Sequence, residues 1–440
     1  MNVSPGFSYE RLEDQFAMKE PLNEAQAIAE AHRCLNCFLA PCVQACPTSI
    51  NIPQFINRIA TKNTLGAAKT ILDANVFGLS CALSCPTEVL CEGACVYHAL
   101  HEPPLMIGKL QAYAVLHAYE QKHEFFKPAK KTNKKIALIG AGPASLACAH
   151  ELRRYGHKTI IYEKGSVPGG LNTSGIAPYK MKADLSLKEI EEILRMGVSI
   201  RYGQELGRNL SLDQLLLEHD AVFLGMGLSE EKFLGLASIK HPRILGAVSL
   251  IEEIKTAPAH NLAWLKDVKK VLIIGGGNTA IDACRELKIL GIPEVVLCYR
   301  RDEHNMSGYA HEFKHALLEK VSFLFNTVPT EFKAINSQSL SVKLNQTTMS
   351  DNELKILNQS ITEIYDLVLF AIGQNPLASV FSNLGIVLKN GRLKTDENGR
   401  TTHPKIFAGG DVANGGKEVV NAVYEGKCAA QAIHQDLTHG

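Results

Sequence analysis

Eight of the twelve cysteines lie between residues 34 and 95, in two short stretches whose residues could do redox or metal chemistry. The first stretch, "RCLNCFLAPCVQACP" (33–47), has the form C-x2-C-x4-C-x3-C-P. The second, "CALSCPTEVLCEGAC" (81–95), has the form C-x3-C-P-x4-C-x3-C. Thiols at this density form disulfides, bind zinc or hold iron–sulfur clusters. The cysteines concerned are Cys34, Cys37, Cys42, Cys46, Cys81, Cys85, Cys91 and Cys95.

The expected compartment argues against disulfides. The stretch "MNVSPGFSYERLEDQFAMKE" (1–20) is polar and acidic and does not resemble a secretory signal, and no run of eighteen apolar residues predicts a membrane span. We therefore expect a cytoplasmic protein without a membrane partner, and the cytosol keeps thiols reduced. The other four cysteines, Cys148, Cys284, Cys298 and Cys428, stand among apolar residues and are predicted to be small core residues.

Two glycine motifs predict dinucleotide-binding turns. In the first, the strand "KIALIG" (135–140) runs into the helical "AGPASLACAHELRRYGHK". Gly140 allows the tight turn, Gly142 admits a pyrophosphate, and Ser145 takes a position usually held by Gly or Ala. Glu163 ends the next strand, where a carboxylate would bind a ribose diol. These features indicate an FAD site.

The second motif, Gly275-Gly-Gly277-Asn-Thr-Ala280, also stands between a strand and a helix. Here the following strand ends in Arg300 and Arg301 instead of an acid. Guanidinium groups at this position suit a 2′-phosphate, so the pattern favours NADP(H) over NAD(H).

A later strand and turn, "THPKIFAGGDVANGG" (402–416), could return to the flavin, with Asp411 near its ribityl chain. Because this segment follows the second motif, we predict an α/β fold with two Rossmann-like domains, the NAD(P)-binding domain inserted in the FAD-binding domain. The predicted boundaries are 1–125 for an all-α domain with two [4Fe–4S] clusters, 126–245 and 371–440 for the FAD-binding domain, and 246–370 for the NAD(P)H-binding domain.

Composition excludes some partners and leaves the metal question open. The chain is 46% hydrophobic with a net charge of +1, which gives no electrostatic reason to expect nucleic acid as a partner.

Both cysteine stretches have the short spacings of ferredoxin-type ligand runs, and a flavin needs an electron acceptor, so we favour two [4Fe–4S] clusters. Zinc remains the alternative, because structural zinc sites also use C-x2-C pairs.

With these residues identified, the chain resembles a known family over nearly its full length. It is similar to the electron-input module shared by the NAD(P)H-binding half of dihydropyrimidine dehydrogenase and the small subunit of glutamate synthase. The stretches "RCLNCFLAPCVQACPTSINIPQFI", "KNTLGAAKTI" and "GLSCALSCPTEVLCEGACVYHA" resemble the dehydrogenase branch most. "GGGNTAIDACR" with "YRRDEHNM" resembles the glutamate synthase branch at least as much.

The resemblance implies a crossed ligand arrangement for the two clusters. One cluster would be held by Cys34, Cys37, Cys42 and Cys95. The other would be held by Cys46, Cys85, Cys91 and Gln111, although Gln111 by itself reads as a surface residue of a helix. Cys81 would then be a buried thiol beside a cluster.

The resemblance also implies cofactor-binding residues in both dinucleotide domains. For FAD they are Gly140, Ala141, Gly142, Pro143, Ala144, Glu163, Leu171, Lys180, Leu206, Gly410, Asp411 and Val419. Lys180 stands where the dehydrogenase branch has an arginine. For the nicotinamide coenzyme they are Gly276, Gly277, Asn278, Thr279, Arg300, Arg301, Ala371, Ile372 and Gly373. The dehydrogenase branch has a further arginine where this chain has Ser307.

In function, the resemblance implies an electron-supplying oxidoreductase subunit with no acid–base catalytic residue of its own. The 440 residues are filled by the three predicted regions, so we expect the substrate chemistry to lie in a partner. The partner would be an FMN-containing barrel subunit of the dihydropyrimidine dehydrogenase type, or the large subunit of glutamate synthase, in a homo- or hetero-oligomer. A zinc-stabilised nucleotide-binding scaffold is the non-enzymatic alternative.

Overall fold

A computed structural model describes residues 21–439 apart from 236–239, 257–258, 351–352, 378–380 and 382–385. The described residues form two compact units. The larger unit comprises 21–173, 180–229 and 376–439, and the smaller unit comprises 174–179 and 230–375. In the described parts of the chain, no helix is both long and apolar enough to cross a membrane.

The N-terminal part of the larger unit is helical, as the sequence predicts. The helix Ile52–Ala60 shows why, because it starts with Pro53 in its first turn and buries Ile52, Phe55, Ile56 and Ile59 on one face. The α-helices of this region are Glu24–His32, Pro41–Gln44, Ile52–Ala60, Thr64–Ala74, Gly78–Ser84 and Ile107–Glu120, with a 3-10 helix at Val96–Leu100.

The larger unit also contains a five-stranded parallel sheet. Its strands, in spatial order, are Ile406–Ala408, Ala221–Leu224, Lys135–Ile139, Lys158–Tyr162 and Ser199–Arg201. The central strand buries four of its five residues, which is typical of a parallel strand covered on both faces. The accompanying helices are Pro143–Arg154, Leu171–Ser174, Ala183–Leu194, Leu212–Glu218, Asp411–Asn414 and Val419–His439.

A second five-stranded parallel sheet forms the smaller unit. Its strands, in spatial order, are Ile244–Gly246, Leu367–Phe370, Lys270–Ile274, Glu294–Cys298 and Ser322–Leu324. The helices are Ala247–Thr256, Asn278–Ile289 and Ala310–Leu318, with 3-10 helices at Ala259–Asp267 and Glu303–Asn305. Three long antiparallel strands, Thr327–Asn336, Ser339–Ser350 and Glu353–Tyr365, form a separate sheet. The short hairpin Leu388–Lys389 and Arg392–Leu393 lies in the larger unit.

This arrangement confirms the predicted fold class. All strands of the second sheet come from residues 244–370, between the fourth and fifth strands of the first sheet. The compact units nevertheless divide at other positions than the predicted domains. One apolar cluster runs from Phe77 and Cys85 through Ile136 to Ile433, so the helical region and the first sheet share a core. The predicted boundary between residues 245 and 246 falls inside the strand Ile244–Gly246, which pairs with the strand Leu367–Phe370.

Candidate functional site: two dinucleotide turns and two sets of thiols

The first glycine motif forms the turn between the strand Lys135–Ile139 and the helix Pro143–Arg154. Gly140 has a φ of +84°, and a Cβ there would lie 2.7 Å from the Cα of Met226, so only glycine fits. Gly142 is the N-cap of the helix and Pro143 follows in its first turn. The amide groups of this first helical turn have no partner within the helix, which suits the binding of a pyrophosphate.

Glu163 lies directly beside this turn. Its carboxylate accepts hydrogen bonds from the amide of Ala141 (2.6 Å) and from the amide of Gly165 (2.7 Å). The carboxylate is therefore held at the mouth of the turn, where a ribose diol of a bound dinucleotide would meet it. Ser145, which departs from the usual motif, is buried and donates its hydroxyl to the carbonyl of Ile139 at 3.3 Å.

A pair of glycines that the sequence analysis did not single out covers the same turn. The amide of Gly169 donates to the carbonyl of Ala141 at 2.7 Å. A Cβ on Gly170, whose φ is +52°, would lie 3.3 Å from the Cα of Gly142. These contacts place Leu171, a predicted FAD residue that is 40% exposed, next to the turn. The sequence signal was "PGGL", a double glycine shortly after Glu163.

The segment after the last strand approaches the turn from the other side. Gly410 has a φ of +75°, and a Cβ there would lie 3.1 Å from the Cβ of Ala144. Its amide donates to Glu425 at 2.6 Å, and Glu425 also accepts from the amide of Asn414. Burial raises the pKa of Asp411, whose carboxylate accepts from the amide of Lys417.

The remaining predicted FAD residues lie in the same unit with less direct connections to the turn. Val419 is the first residue of the helix Val419–His439, which packs closely on the helix Pro143–Arg154 through Gly426. Leu206 packs against an apolar cluster of this unit that contains Ile139 and Leu224. It follows two residues after Gln204, whose backbone amide donates to the carbonyl of Glu163. Lys180 is buried.

The second glycine motif has the same frame in the smaller unit. Gly275 has a φ of +150°, and a Cβ there would lie 2.3 Å from the carbonyl oxygen of Ala371. Gly277 caps the helix Asn278–Ile289, and the side chain of Asn278 accepts from the amide of Tyr309 at 2.9 Å. The structure thus brings Gly276, Gly277, Asn278, Thr279 and Ala371 together, followed on the chain by Ile372 and Gly373.

The two arginines occupy different surroundings beside this second turn. Arg301 donates from Nε to the hydroxyl of Tyr299 at 3.2 Å and lies over the Tyr299 ring. That ring packs on Gly276, where a Cβ would lie only 2.4 Å from ring atoms. Arg300 is exposed. Ser307, where the dehydrogenase branch has an arginine, donates its amide to the carbonyl of Gly276 at 3.1 Å and so belongs to the turn itself.

The first set of thiols lines one cavity although its members come from both cysteine stretches. Cys34, Cys37, Cys42 and Cys95 surround it together with apolar residues such as Ile52 and Leu105. Burial raises the pKa of Cys34, and the neighbouring Cys37 and Cys95 thiols raise it further. Burial together with Cys34 and Cys95 raises the pKa of Cys42 to about 11. A cationic centre bound in this cavity would favour the thiolate forms of Cys34 and Cys42.

The four thiols of this set surround one cavity, which is the arrangement that the ligands of a cluster need. In the residues that the structure describes, no group of three or more Cys, His, Asp or Glu side chains is arranged to hold a single metal ion.

The second set lies beside the main apolar cluster of the larger unit. Cys85 belongs to the main apolar cluster, and Cys46 packs against it. Cys91 is half-buried in the turn region that follows Cys85. Cys81 is buried beside them, and a hydrogen bond with Cys85 together with burial raises the pKa of the Cys81 thiol well above its ordinary value.

Gln111 is buried, although its sequence context alone suggested a residue on the surface of a helix. It is 6% exposed on the helix Ile107–Glu120, and its Nε2 donates to the carbonyl of Gly78 at 2.7 Å. This bond fixes the amide against the helix Gly78–Ser84, which carries Cys81 and ends at Cys85. The helix Ile107–Glu120 approaches so closely because Gly108 leaves room for the carbonyl of Ala82.

Three of the four isolated cysteines, Cys148, Cys284 and Cys298, are buried core residues, as predicted. The fourth, Cys428, is half-buried on the helix Val419–His439. Burial raises the pKa of its thiol, and a hydrogen bond with Tyr424 opposes that effect.

Two family models match the chain. Residues 11–123 match the family described as dihydropyrimidine dehydrogenase domain II, 4Fe-4S cluster, and residues 134–426 match the pyridine nucleotide-disulphide oxidoreductases. Among solved structures, Lactococcus lactis thioredoxin reductase covers 70% of this chain and 100% of its own, at 24% identity and a TM-score of 0.55. FprA from Mycobacterium tuberculosis in complex with NADPH covers 70% and 85%, at 17% identity and a TM-score of 0.58. These two structures show the fold of the dinucleotide-binding domains.

Curated relatives of similar length match this chain across both the cysteine-rich region and the dinucleotide-binding domains. The NAD-dependent dihydropyrimidine dehydrogenase subunit PreT of Escherichia coli K12 is 35% identical over 411 residues, which is 93% of this chain and 94% of that protein. The small chain of glutamate synthase [NADPH] from the same organism is 32% identical over 442 aligned positions, covering 94% and 92%. The cofactors are therefore FAD, NAD(P)H and [4Fe–4S] clusters, and the chain belongs to the family of flavin- and iron–sulfur-containing NAD(P)H oxidoreductase subunits that includes PreT and the glutamate synthase small chain.

Proposed function

We propose that this chain takes a hydride from NAD(P)H and passes the electrons through FAD and two [4Fe–4S] clusters to a partner catalytic subunit of the dihydropyrimidine dehydrogenase type. The observation that carries this proposal is the cavity lined by Cys34, Cys37, Cys42 and Cys95, in the same compact unit as the turn at Gly140. The partner would be an FMN-containing barrel subunit that reduces pyrimidines, and we expect the chain to work in the cytoplasm.

In this proposal the two units divide the binding work. The smaller unit holds the coenzyme at Gly276–Thr279, with Arg300 and Arg301 beside it and Ala371–Gly373 beneath it. The larger unit holds FAD between the turn at Gly140–Ala144, the carboxylate of Glu163 and the segment Gly410–Asp411. FAD, when bound, accepts two electrons as a hydride and returns them one at a time, which is what clusters require.

The ligand sets proposed for the clusters follow the crossed arrangement. Cys34, Cys37, Cys42 and Cys95 would hold one cluster. Cys46, Cys85, Cys91 and Gln111 would hold the other, and the bond from Gln111 to the carbonyl of Gly78 would keep the amide in place. The apolar side chains packed around Cys46 and Cys85 would limit the access of water to this second cluster, which affects a cluster's potential.

The test uses the purified holoprotein with FAD and iron measured first. We expect it to oxidise NADPH or NADH with ferricyanide as acceptor and to reduce uracil or thymine only after an FMN-containing barrel subunit is added. Reduction of uracil by this chain alone would contradict the role of an electron-supplying subunit. A colourless protein that contains zinc and no iron would contradict the clusters.

A second candidate is the small subunit of glutamate synthase, which the relatives named glutamate synthase small chain favour. In that case the added partner would be a large amidotransferase subunit, and NADPH oxidation would depend on glutamine and 2-oxoglutarate. Measuring NADPH oxidation with each partner in turn separates the two candidates, since only the matching partner restores electron flow.

A further inference from the structure

A buried carboxyl group connects the first dinucleotide turn with the helix that carries Cys81, and the proposed electron path does not use it. Glu189 lies on the helix Ala183–Leu194 and is 0% exposed. Its carboxylate accepts from the amide of Leu79 at 2.7 Å, from the amide of Ser80 at 3.2 Å and from the Ser80 hydroxyl. It also interacts with the hydroxyl of Tyr119 on the helix Ile107–Glu120.

On one side, this network reaches the loop that covers the turn at Gly140. The amide of Asn172 donates to the Ser80 hydroxyl and to the Ser186 hydroxyl, both at 2.9 Å. The backbone amide of Asn172 in turn bonds the carbonyl of Gly169, whose own amide bonds the carbonyl of Ala141. A continuous chain of hydrogen bonds therefore runs from the dinucleotide turn to Glu189.

On the other side, the network reaches the second set of thiols. Leu79 and Ser80 lie in the first turn of the helix Gly78–Ser84, and Cys85 is its C-cap residue. Gln111 is bonded to Gly78 of the same helix. Glu189 thus bonds the first turn of the helix that connects Gln111 with Cys85.

The surroundings of Glu189 leave its charge finely balanced. Burial raises the pKa of Glu189 to about 7, while the hydrogen bonds from Ser80, Leu79 and Tyr119 favour the ionised form. The titratable groups that face it are Tyr119 on one helix and Cys81 on another, with Glu192 acting on Tyr119 from the helix of Glu189 itself. The Glu189 charge also contributes to the raised pKa of Cys81, so ionisation of either group disfavours ionisation of the other.

The overall reaction produces one proton for such a group. Oxidation of NAD(P)H by two one-electron clusters gives NAD(P)⁺, two reduced clusters and one H⁺. Each electron that arrives on the cluster beside this apolar core adds a negative charge, and the low dielectric constant of the core screens that charge weakly. A nearby carboxylate becomes more basic when that charge arrives.

We propose that Glu189 takes up a proton when an electron reaches the cluster held by Cys46, Cys85, Cys91 and Gln111, and so makes the potential of that cluster depend on pH. This inference rests on the proposed function. The proton is the one that the oxidation of NAD(P)H releases. Release of the proton accompanies the onward transfer of the electron.

The test is a redox titration of the holoprotein, followed by electron paramagnetic resonance between pH 6 and 9. One proton per electron gives a tenfold change in the reduction equilibrium per pH unit, which is 59 mV for a one-electron couple. We expect the wild-type potential of one cluster to fall by up to that slope above pH 7. In Glu189→Gln the slope disappears while FAD and iron content stay unchanged.

A matched control is available in the other unit. Glu286 is also fully buried, and burial likewise raises its pKa to about 7, but it lies on the helix Asn278–Ile289. Glu286→Gln is expected to retain the full pH slope. A slope that is lost equally in both variants, or retained in Glu189→Gln, overturns the proposal.

Tyr119→Phe keeps the test decisive if Glu189→Gln loses iron. This variant removes a hydrogen bond that favours the ionised carboxylate, so the pH at which the slope begins should move upward. An unmoved onset, or a flat wild-type profile, overturns the proposal. Either result leaves the proposed function intact, whereas a purified protein without FAD or iron contradicts the proposed function instead.

Discussion

The two dinucleotide turns share a backbone frame and differ in the groups that surround it. Each consists of a five-residue strand, a glycine with positive φ, a glycine N-cap and a twelve-residue helix. Carboxylates surround the first turn, because Glu163 bonds the amide of Ala141 and Glu425 bonds the amide of Gly410. The second turn is lined by the ring of Tyr299 and the guanidinium of Arg301.

From this difference we predict that the backbone frame binds the pyrophosphate in both sites and that the surrounding side chains determine which dinucleotide fits each site. Both helices can bind a pyrophosphate through free amide groups in their first turn. An acid beside the turn binds ribose hydroxyls and repels a 2′-phosphate, while a guanidinium attracts it. Each of the two helices also buries one basic and one acidic residue, His150 and Glu151 in the first and Arg285 and Glu286 in the second.

The largest expected effect is the loss of FAD when the first frame is broken. Gly140→Ala forces a side chain into a φ of +84° and against the Cα of Met226. The positive φ alone costs about 1–3 kcal/mol, and backbone on the far side cannot move aside easily. We expect the purified variant to retain less than about a tenth of the wild-type flavin, measured from its absorbance after denaturation.

Gly203→Ala is the matched control for this prediction. Gly203 has a φ of +68°, but a Cβ there meets nothing within 4 Å, so the variant carries the conformational cost alone. It should retain its flavin. Equal flavin loss in both variants would mean that Gly140 matters only through backbone strain.

The next largest effect concerns how the two helices respond to pH. Burial, followed by the Arg154 charge, lowers the pKa of His150 to about 3 from 6.5. Because the unfolded chain binds the proton and the folded chain does not, His150 destabilises the fold as the pH falls below 6.5, by roughly 2 kcal/mol between pH 8 and pH 5. Urea unfolding of His150→Gln should show a correspondingly smaller loss at pH 5.

Glu286 should act in the opposite direction. Burial raises its pKa to about 7 from 4.5, so its folded state holds a proton that the unfolded chain releases. Its contribution is intact below pH 4.5 and is lost as the pH rises to 7, by roughly 3 kcal/mol. Glu286→Gln should therefore gain stability relative to wild type between pH 5 and pH 8. Parallel pH profiles for the His150 and Glu286 variants would contradict the opposite contributions expected of these two residues.

Much of the fold was predictable, because parallel strands and glycine turns leave strong local signals. The runs "KIALIG" and "KVLIIG" each predict a buried strand, and the order of motifs predicts the insertion of one domain in the other. The boundaries between the two compact units were not predictable from such local signals. The shared core of Phe77, Ile136 and Ile433 depends on contacts between residues far apart in sequence.

The site shows the same limit. Spacing identified the cysteines as a group, yet spacing alone did not show that Cys95 lies with Cys34 and not with Cys91; that grouping came from the resemblance. Gln111 and Glu189 carry no local signal, since a lone amide or acid in a helix usually faces solvent. Their burial follows from the packing of the helices Gly78–Ser84, Ile107–Glu120 and Ala183–Leu194.

The smallest expected effect is a change in coenzyme preference, which tests the role of Arg301 beside the second turn. Arg301→Gln removes the charge beside Gly276 but keeps a side chain that can bond the hydroxyl of Tyr299. If the guanidinium binds a 2′-phosphate, kcat/KM for NADPH with ferricyanide as acceptor should fall about tenfold, the equivalent of about 1.4 kcal/mol, while the value for NADH stays within about a factor of three. Arg208→Gln, an exposed arginine of the larger unit, is the control and should leave both values unchanged. An unchanged ratio of NADPH to NADH in Arg301→Gln would reduce Arg301 to a support for the Tyr299 ring and leave Arg300 as the only one of the two arginines able to select the coenzyme.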